Sequence, residues 1–349
     1  MGISTKTALW REALGVLVAL TASLAVPLVA AADYPPPVLG DTYTVQQSLR
    51  PSFVAGSEMM PMDFAPDMNG NVWTVETDWY MGLVTRIAKY NAGGQLVGAY
   101  AVNSMTNPTA LAFGPDGLLY VADTGSGRIV IFDPSSGNQL GTLPSDGQPG
   151  PSQLSTITEA PDRFSSPSDL QFDANGTMFV TDPGYNRVTS FNALHEPLNQ
   201  WGSLLASTGS GGFDGPTGLY VDANHVYVAD QYNGRIQTFT HDGTYVSEID
   251  KNRGGSLPLY RVQDVFVDGY GVTYVLDYPD GWGAGARFTR VGPSGEFLGE
   301  YFETPNGFLQ WSTHLKVDEW GSVVINDRIF DGVNGAVRYY GLNAGAPDT

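Results

Sequence analysis

The sequence predicts an all-β fold: a six-bladed β-propeller of four-stranded antiparallel blades, the last blade closed by an N-terminal strand. Three observations carry this. One segment recurs six times, most clearly as NPTALAFGPDGLLYVADTGSGRIVIFD from Asn107. It returns as SPSDLQFDANGTMFVTDPGYNRVTSF from Ser166 and GPTGLYVDANHVYVADQYNGRIQTF from Gly215, with weaker copies near Pro61, Val262 and Ser312. Units of this length stack because none can bury its apolar face alone. The 43 glycines, 23 prolines, 18 tyrosines and 16 phenylalanines among 349 residues suit short strands joined by tight turns. Beyond the N-terminus, no apolar residues keep a helical period.

The first 32 residues read as a secretory signal peptide. Lys6 and Arg11 precede an apolar stretch from Leu14 to Val29, and Ala30, Ala31 and Ala32 supply small residues for cleavage. The expected product is secreted, extracellular or in the cell envelope, with no integral span after cleavage. An uncleaved anchor is the alternative, because Ala13 to Ala32 is nearly long enough to span a bilayer. The expected division is signal 1–32, a segment 33–60 that supplies the closing strand, the propeller 61–345, and a tail 346–349.

The chain has no cysteine, so its core must hold it without disulfides. Its formal net charge is −19, which repels nucleic acid and anionic membrane surfaces and excludes both as expected partners.

Each copy has one internal order. An apolar strand (Ala110 to Phe113) leads into a Gly-Pro-Asp-Gly turn, where Gly117 suits a positive φ. A second strand, Leu118 to Ala122, ends on Asp123. A tight connection leads to Arg128 and a third strand, and the fourth, Gln139 to Leu143, is short. The last copy holds three strands (His314 to Asp318, Ser322 to Asn326, Ala336 to Tyr340) before the chain runs out. Thr42 to Gln47 alternates as a strand does and is free to add the outer one, which removes an exposed edge.

An acid closing the second strand recurs as Asp78, Asp123, Asp182, Asp230, Asp277 and Asp327, followed by Arg86, Arg128, Arg187, Arg235, Arg287 and Arg338. Sixfold recurrence argues for a structural role, since chemistry needs one site. The residue just before the first strand varies instead: Asp63, Ala110, Asp169, Gly218, Asp264 and His314. These are expected to ring the top of the central channel. Three converging carboxylates repel unless a cation or protons intervene. Asp63, Asp169, Asp264 and His314 are therefore the candidate ligands of one calcium or other divalent cation, and no other cofactor is expected. The competing reading is that each Asp bonds local backbone amides or channel water.

The pattern of proline, a variable residue, a small or acidic residue, an apolar strand, an Asp-Gly turn, Val-Ala-Asp and then Gly-Arg-Ile resembles the NHL repeat family. The resemblance covers roughly residues 60 to 345 and is strongest in the second to fourth copies. It implies a six-bladed propeller, and it implies no single function, because scaffolds and enzymes share the fold. The chain also resembles the peptidyl-amidoglycolate lyases in fold and repeat order. In that family three histidines directly after the blade-start proline hold a catalytic zinc. Here those positions are Met62, Thr109, Ser168, Thr217, Gln263 and Thr313, so that zinc site is not expected. That family's structural calcium uses an Asp at the position of Asp169.

The copies differ most between their second and third strands. The Asp-to-Arg interval lengthens in the first, fifth and sixth copies, neighbours around a closed ring, and these loops fall on the channel-entrance face. They carry Trp79, Tyr80, Tyr278, Trp282 and Phe330, with Trp311 nearby. Aromatic anchors beside glycines form the expected ligand-binding face for a protein, peptide or carbohydrate. The expected function is a secreted binding scaffold. The alternative is a metal-dependent hydrolase or lyase with its cation in the channel.

Overall fold

The computed structural model describes residues 42–49, 59–78, 85–102, 104–150, 156, 160–255, 258–279, 285–302, 312–317, 322–327 and 336–343. The expected leader lies outside them. Among the described residues no helix is long and apolar enough to cross a membrane.

The first blade contains β2 (Met59–Pro66), β3 (Val72–Asp78), β4 (Thr85–Tyr90) and β5 (Leu96–Ala101), and the second contains β6 (Pro108–Phe113), β7 (Leu119–Asp123), β8 (Arg128–Asp133) and β9 (Asn138–Leu143). The third contains β10 (Asp169–Phe172), β11 (Met178–Asp182), β12 (Arg187–Phe191) and β13 (Pro197–Gly202). The fourth contains β14 (Pro216–Val221), β15 (His225–Asp230), β16 (Arg235–Thr240) and β17 (Tyr245–Ile249). The fifth contains β18 (Asp264–Val267), β19 (Thr273–Asp277), β20 (Arg287–Val291) and β21 (Phe297–Phe302). In each of these the four strands pair antiparallel in chain order.

The expected six blades are corrected here: among the described residues, the blades whose four strands follow one another in the chain number five. The remaining four-stranded sheet is a composite of both ends of the chain. Its order is β1 (Thr42–Leu49), β24 (Ala336–Asn343), β23 (Val323–Asp327) and β22 (Leu315–Val317). Thr42 pairs with Asn343 and Leu49 with Val337, so β1 covers the edge of β24 as the alternation at Thr42 to Gln47 predicts.

A separate apolar core fills each joint between neighbouring sheets. Trp73, Ile87, Leu111 and Leu119 join the first two blades, and Leu276, Phe288, Leu315 and Ile325 join the fifth blade to the composite sheet. Phe64, Ala88 and Tyr90 meet Val324 and Val337 at the last joint, which closes the ring. Burying each such side chain contributes roughly 1.5–3 kcal/mol, so closure rests on apolar burial distributed round the ring.

Glycine is required where one blade's backbone meets the next. A Cβ on Gly218 would lie 2.6 Å from both Asp264 Cα and Gln263 O, and closer still to Asp264 Oδ1. None of these atoms is free to move, because Gly218 N also donates to Gln263 O at 2.9 Å. A Gly218→Ala variant is therefore expected to lose about 3 kcal/mol or more in urea denaturation, at the severe end of overpacking. A loss below about 1 kcal/mol would show that this joint yields.

Candidate functional site

The inner strands of the first, second and fourth blades begin with a bulge or irregular step, between Pro61 and Asp63, Pro108 and Ala110, and Pro216 and Leu219. Such a step re-aims the side chains beside it. Along the axis of the ring the side-chain bonds alternate from sheet to sheet. In the first, third and fifth blades an Asp carboxylate accepts from its own neighbour and from the following sheet. Asp63 accepts Phe64 N (2.7 Å) and Leu111 N (2.9 Å). Asp169 accepts Leu170 N (2.7 Å) and Leu219 N (2.8 Å), and Asp264 accepts Val265 N and Leu315 N, both at 2.8 Å.

The intervening sheets answer with threonine hydroxyls. Thr109 donates to Ser168 O at 2.8 Å, Thr217 to Val262 O at 3.2 Å and Thr313 to Met62 O at 3.2 Å. Every joint on the axis thus has a side-chain bond, accepted at one joint and donated at the next.

Asp63, Asp169, Asp264 and His314 are all buried. One ligand atom each from Asp63, Asp169 and His314 lies within 4.8 Å of the others. His314 Nε2 sits 3.1 Å from Thr109 O, which only accepts, so this nitrogen carries a proton. His314 Nδ1 has no hydrogen-bond partner and lies 3.6 Å from Asp264 Oδ2 and 4.0 Å from Asp63 Oδ1. Those distances are ion-pair contacts, too long for hydrogen bonds.

Burial acts to lower the His314 pKa, but the carboxylates of Asp63, Asp264 and Asp169 outweigh it and push it up to about 9. His314 is therefore an imidazolium at neutral pH. Lys316, two residues along β22, is also pushed up: burial opposes its charge, and Asp63, Asp264 and Asp169 hold it. Burial lifts Asp169 to about 6, opposed by His314 and Lys316 and reinforced by Asp264 and Asp63. The ring thus contains its own cations.

The donor set does not suit calcium, which takes oxygen ligands, because one of its members is an imidazole. A metal that accepts nitrogen would have to displace a proton from His314 and share carboxylates already bonded to two backbone amides each.

The recurrent acids and arginines are scaffold. Asp123 accepts Thr106 N (2.6 Å), Asp230 accepts Asp214 N (2.7 Å) and Asp277 accepts Tyr260 N (3.0 Å), anchoring the segment that enters each inner strand. Asp182 does the same for Ser165 N and Ser166 N, both at 2.9 Å. Arg128, Arg235 and Arg287 then bind their acids at 2.9, 2.7 and 2.8 Å.

Two members of that series are corrected. In the first blade Arg86 pairs in register with Glu76, not Asp78, and binds it at 2.6 Å. Glu76 also accepts from Tyr90 (2.7 Å) and Thr74 (2.6 Å). In the composite sheet Asp327 pairs with Ala336, while Arg338 falls opposite Ile325. There Asn326 Oδ1 accepts Thr313 N (2.9 Å) and His314 N (2.7 Å). A deletion or extension of two residues preserves strand alternation, so the hydrophobic pattern conceals it.

Of the expected aromatic face, Trp79, Tyr80, Trp282, Phe330 and Trp311 lie outside the described residues. Tyr278 is 1 % exposed, packs in the core between the fifth blade and the composite sheet and donates to Ser312 O at 3.0 Å. It is a structural residue, and the expectation of a free ligand contact there is corrected. Lys316 and Glu76 escape the sequence comparison, since each is a single departure inside an otherwise regular strand.

The closed ring of antiparallel sheets with a hydrogen-bonded axis defines a β-propeller. Residues 105–132 and 213–239, within the second and fourth blades, match the NHL repeat model. The chain is 32% identical over 151 residues to the mouse (Mus musculus) peptidyl-glycine alpha-amidating monooxygenase, covering 41% of this chain and 14% of that protein. The chain thus spans a small part of that relative's length. Among solved structures it resembles virginiamycin B lyase from Staphylococcus aureus, in a catalytically inactive form with quinupristin (TM-score 0.55, 16% identity, 85% of this chain and 88% of that one). It likewise resembles hydrazine synthase of Kuenenia stuttgartiensis (TM-score 0.55, 14% identity, 79% and 78% covered). At these identities the likeness is one of fold.

Proposed function

We propose that the protein is a binding scaffold, with its axial ring committed to holding the blades together and its ligand contacts on the channel-entrance face. One observation carries this reading: Asp63, Asp169 and Asp264 each spend both carboxylate oxygens on backbone amides, one of them across a joint. Their remaining charge faces His314 and Lys316. Such groups are preorganised for closure and poorly placed to bind and release a substrate. The ligand would be a protein, peptide or carbohydrate, met by loops that the scaffold itself does not require.

A metal-dependent hydrolase or lyase is the second reading. It is favoured by the spacing of Asp63, Asp169 and His314 and by the orphaned Nδ1 of His314. The lyases among similar folds make it worth testing. Melting of the purified protein with calcium, with zinc and with chelator separates the two. The scaffold reading expects one melting temperature at neutral pH in all three conditions, and no stoichiometric metal. A drop of several degrees with chelator would overturn it in favour of a resident cation.

A further inference from the structure

Five asparagines in the chain directly precede glycine: Asn69, Asn175, Asn233, Asn306 and Asn334. The pairs at Asn306 and Asn334 lie outside the described residues. The other three occupy two different settings. Asn69-Gly70 and Asn175-Gly176 tip the turns between the first and second strands of the first and third blades, on the face opposite the channel entrance. Asn233-Gly234 lies between β15 and β16, on the entrance side.

The two turns impose their glycines. Gly70 and Gly176 adopt φ 76° and 87°, the left-handed region that glycine enters without strain. A glycine there also leaves its amide nitrogen without the cover of a side chain. The asparagines before them are exposed. In each turn an aspartate holds the backbone. Asp67 Oδ1 accepts Asn69 N and Asn71 N at 2.8 and 2.9 Å, and Asp173 Oδ1 accepts Asn175 N and Thr177 N, both at 2.8 Å. The side-chain amides of Asn69 and Asn175 take no part in these bonds. The glycine nitrogens are held at the long end of the hydrogen-bond range, Gly70 N to Asp67 O at 3.3 Å and Gly176 N to Asp173 O at 3.2 Å.

Asn233 is the opposite case. Its Nδ2 donates to Ser207 O at 2.8 Å and to Asp230 Oδ2 at 2.9 Å, so the side chain is tied to two segments at once. The following nitrogen, Gly234 N, is shared between Asp230 O (3.1 Å) and Gln231 O (3.3 Å). A second contrast lies in the fourth blade. There Asp222 Oδ1 holds Asn224 N at 2.7 Å in the corresponding turn, but His225 stands where the other two turns have glycine.

We propose that Asn69 and Asn175 are modification sites at which the folded protein converts asparagine to aspartate and its β-linked isomer. The glycine amide nitrogen gives its proton to hydroxide and attacks the asparagine Cγ. The new N–Cγ bond closes a succinimide ring, the bond from Cγ to the side-chain nitrogen breaks, and that nitrogen takes a proton and leaves as ammonia. Water then opens the ring at either carbonyl, leaving an aspartate joined through its α- or its β-carboxyl. No oxidant or reductant takes part, and each event adds one negative charge to the face opposite the channel entrance. Asn233 is protected, because the same attack requires its side chain to leave two hydrogen bonds, one of them to a carboxylate.

The test incubates the folded protein at mildly alkaline pH and follows each asparagine by peptide mass spectrometry, with electron-transfer fragmentation to separate the two isomers. Asn69 and Asn175 are expected to convert about tenfold faster than Asn233 or more, the factor that one charge-assisted hydrogen bond carries. Asn224 should stay intact over the same period. In urea the protection of Asn233 should vanish and the three rates converge. Asn175→Gln should abolish conversion at its own position, since a ring one atom larger closes far more slowly, and leave the rate at Asn69 unchanged. Asn233 converting as fast as either exposed site in the folded protein would overturn the proposal. So would Asn69 or Asn175 remaining intact over a period in which the urea-unfolded chain converts.

Discussion

An Arg235→Met variant is expected to lose about 3–5 kcal/mol of stability, the range for stripping one partner from a buried ion pair. Arg235 is buried and binds Asp230 Oδ2 through Nε at 2.7 Å. It also binds Thr208 O, Gly209 O and Gly212 O at 3.0, 2.9 and 2.9 Å, and Glu248 at 2.9 Å. Methionine fills much of the volume but leaves those carbonyls and the Asp230 carboxylate without their donor. Asp230 in turn anchors Asp214 N, Asn233 Nδ2 and Gln237 Nε2 at 2.7, 2.9 and 3.0 Å, so the entry to the fourth inner strand loosens. Urea denaturation followed by tryptophan fluorescence measures the loss. A value below about 1 kcal/mol would mean that water replaces the arginine at little cost.

The second large effect is on pH. Burial alone would depress His314, but Asp63, Asp264 and Asp169 raise it from 6.5 to about 9 in the folded protein. A histidine raised on folding contributes stability that is fully present below its unfolded value and is lost as pH rises through the folded one. Stability is therefore expected to fall between about pH 6.5 and 9, by up to about 3 kcal/mol. Asp169 acts in the same direction over a lower range. Its folded pKa is raised from 3.8 to about 6, so the protonated form is favoured on folding and stability falls as pH rises across that interval. His314→Gln should flatten the upper limb, because a neutral amide keeps the bulk near Thr109 O and does not titrate. A wild-type melting temperature constant from pH 6.5 to 9 would show that His314 is neutral when folded.

Much of the fold is legible in the sequence for a simple reason. Strand alternation, Asp-Gly turns and the Gly-Arg step after Asp123 and Asp230 are local requirements, repeated often enough to align. Gly127 and Gly234 adopt φ 61° and 64°, and Asn186 adopts 48° at the same step. The Asp series is legible as scaffold because it recurs. The register is less so: Glu76 takes the place expected of Asp78 because pairing with β4 decides which acid meets Arg86. Tyr278 reads as a loop aromatic in sequence, and only the neighbouring Leu315 and Ile325 make it core.

The axial ring divides the same way. That Asp63, Asp169, Asp264 and His314 converge follows from the repeat alone, because equivalent positions in a closed ring must face one axis. The partners of each carboxylate lie some fifty residues away, as in Asp63 with Leu111, Asp169 with Leu219 and Asp264 with Leu315. No local pattern encodes such pairings. The strand grammar, the stacking of repeats and the positions that meet at the centre are all written in the local repeat. That the central carboxylates staple neighbouring sheets and face His314 and Lys316 emerges from ring closure, which brings distant segments together. Backbone propensity is set within a few residues, whereas the balance of charge, burial and contact at a site is set by whichever segments the closed ring brings together.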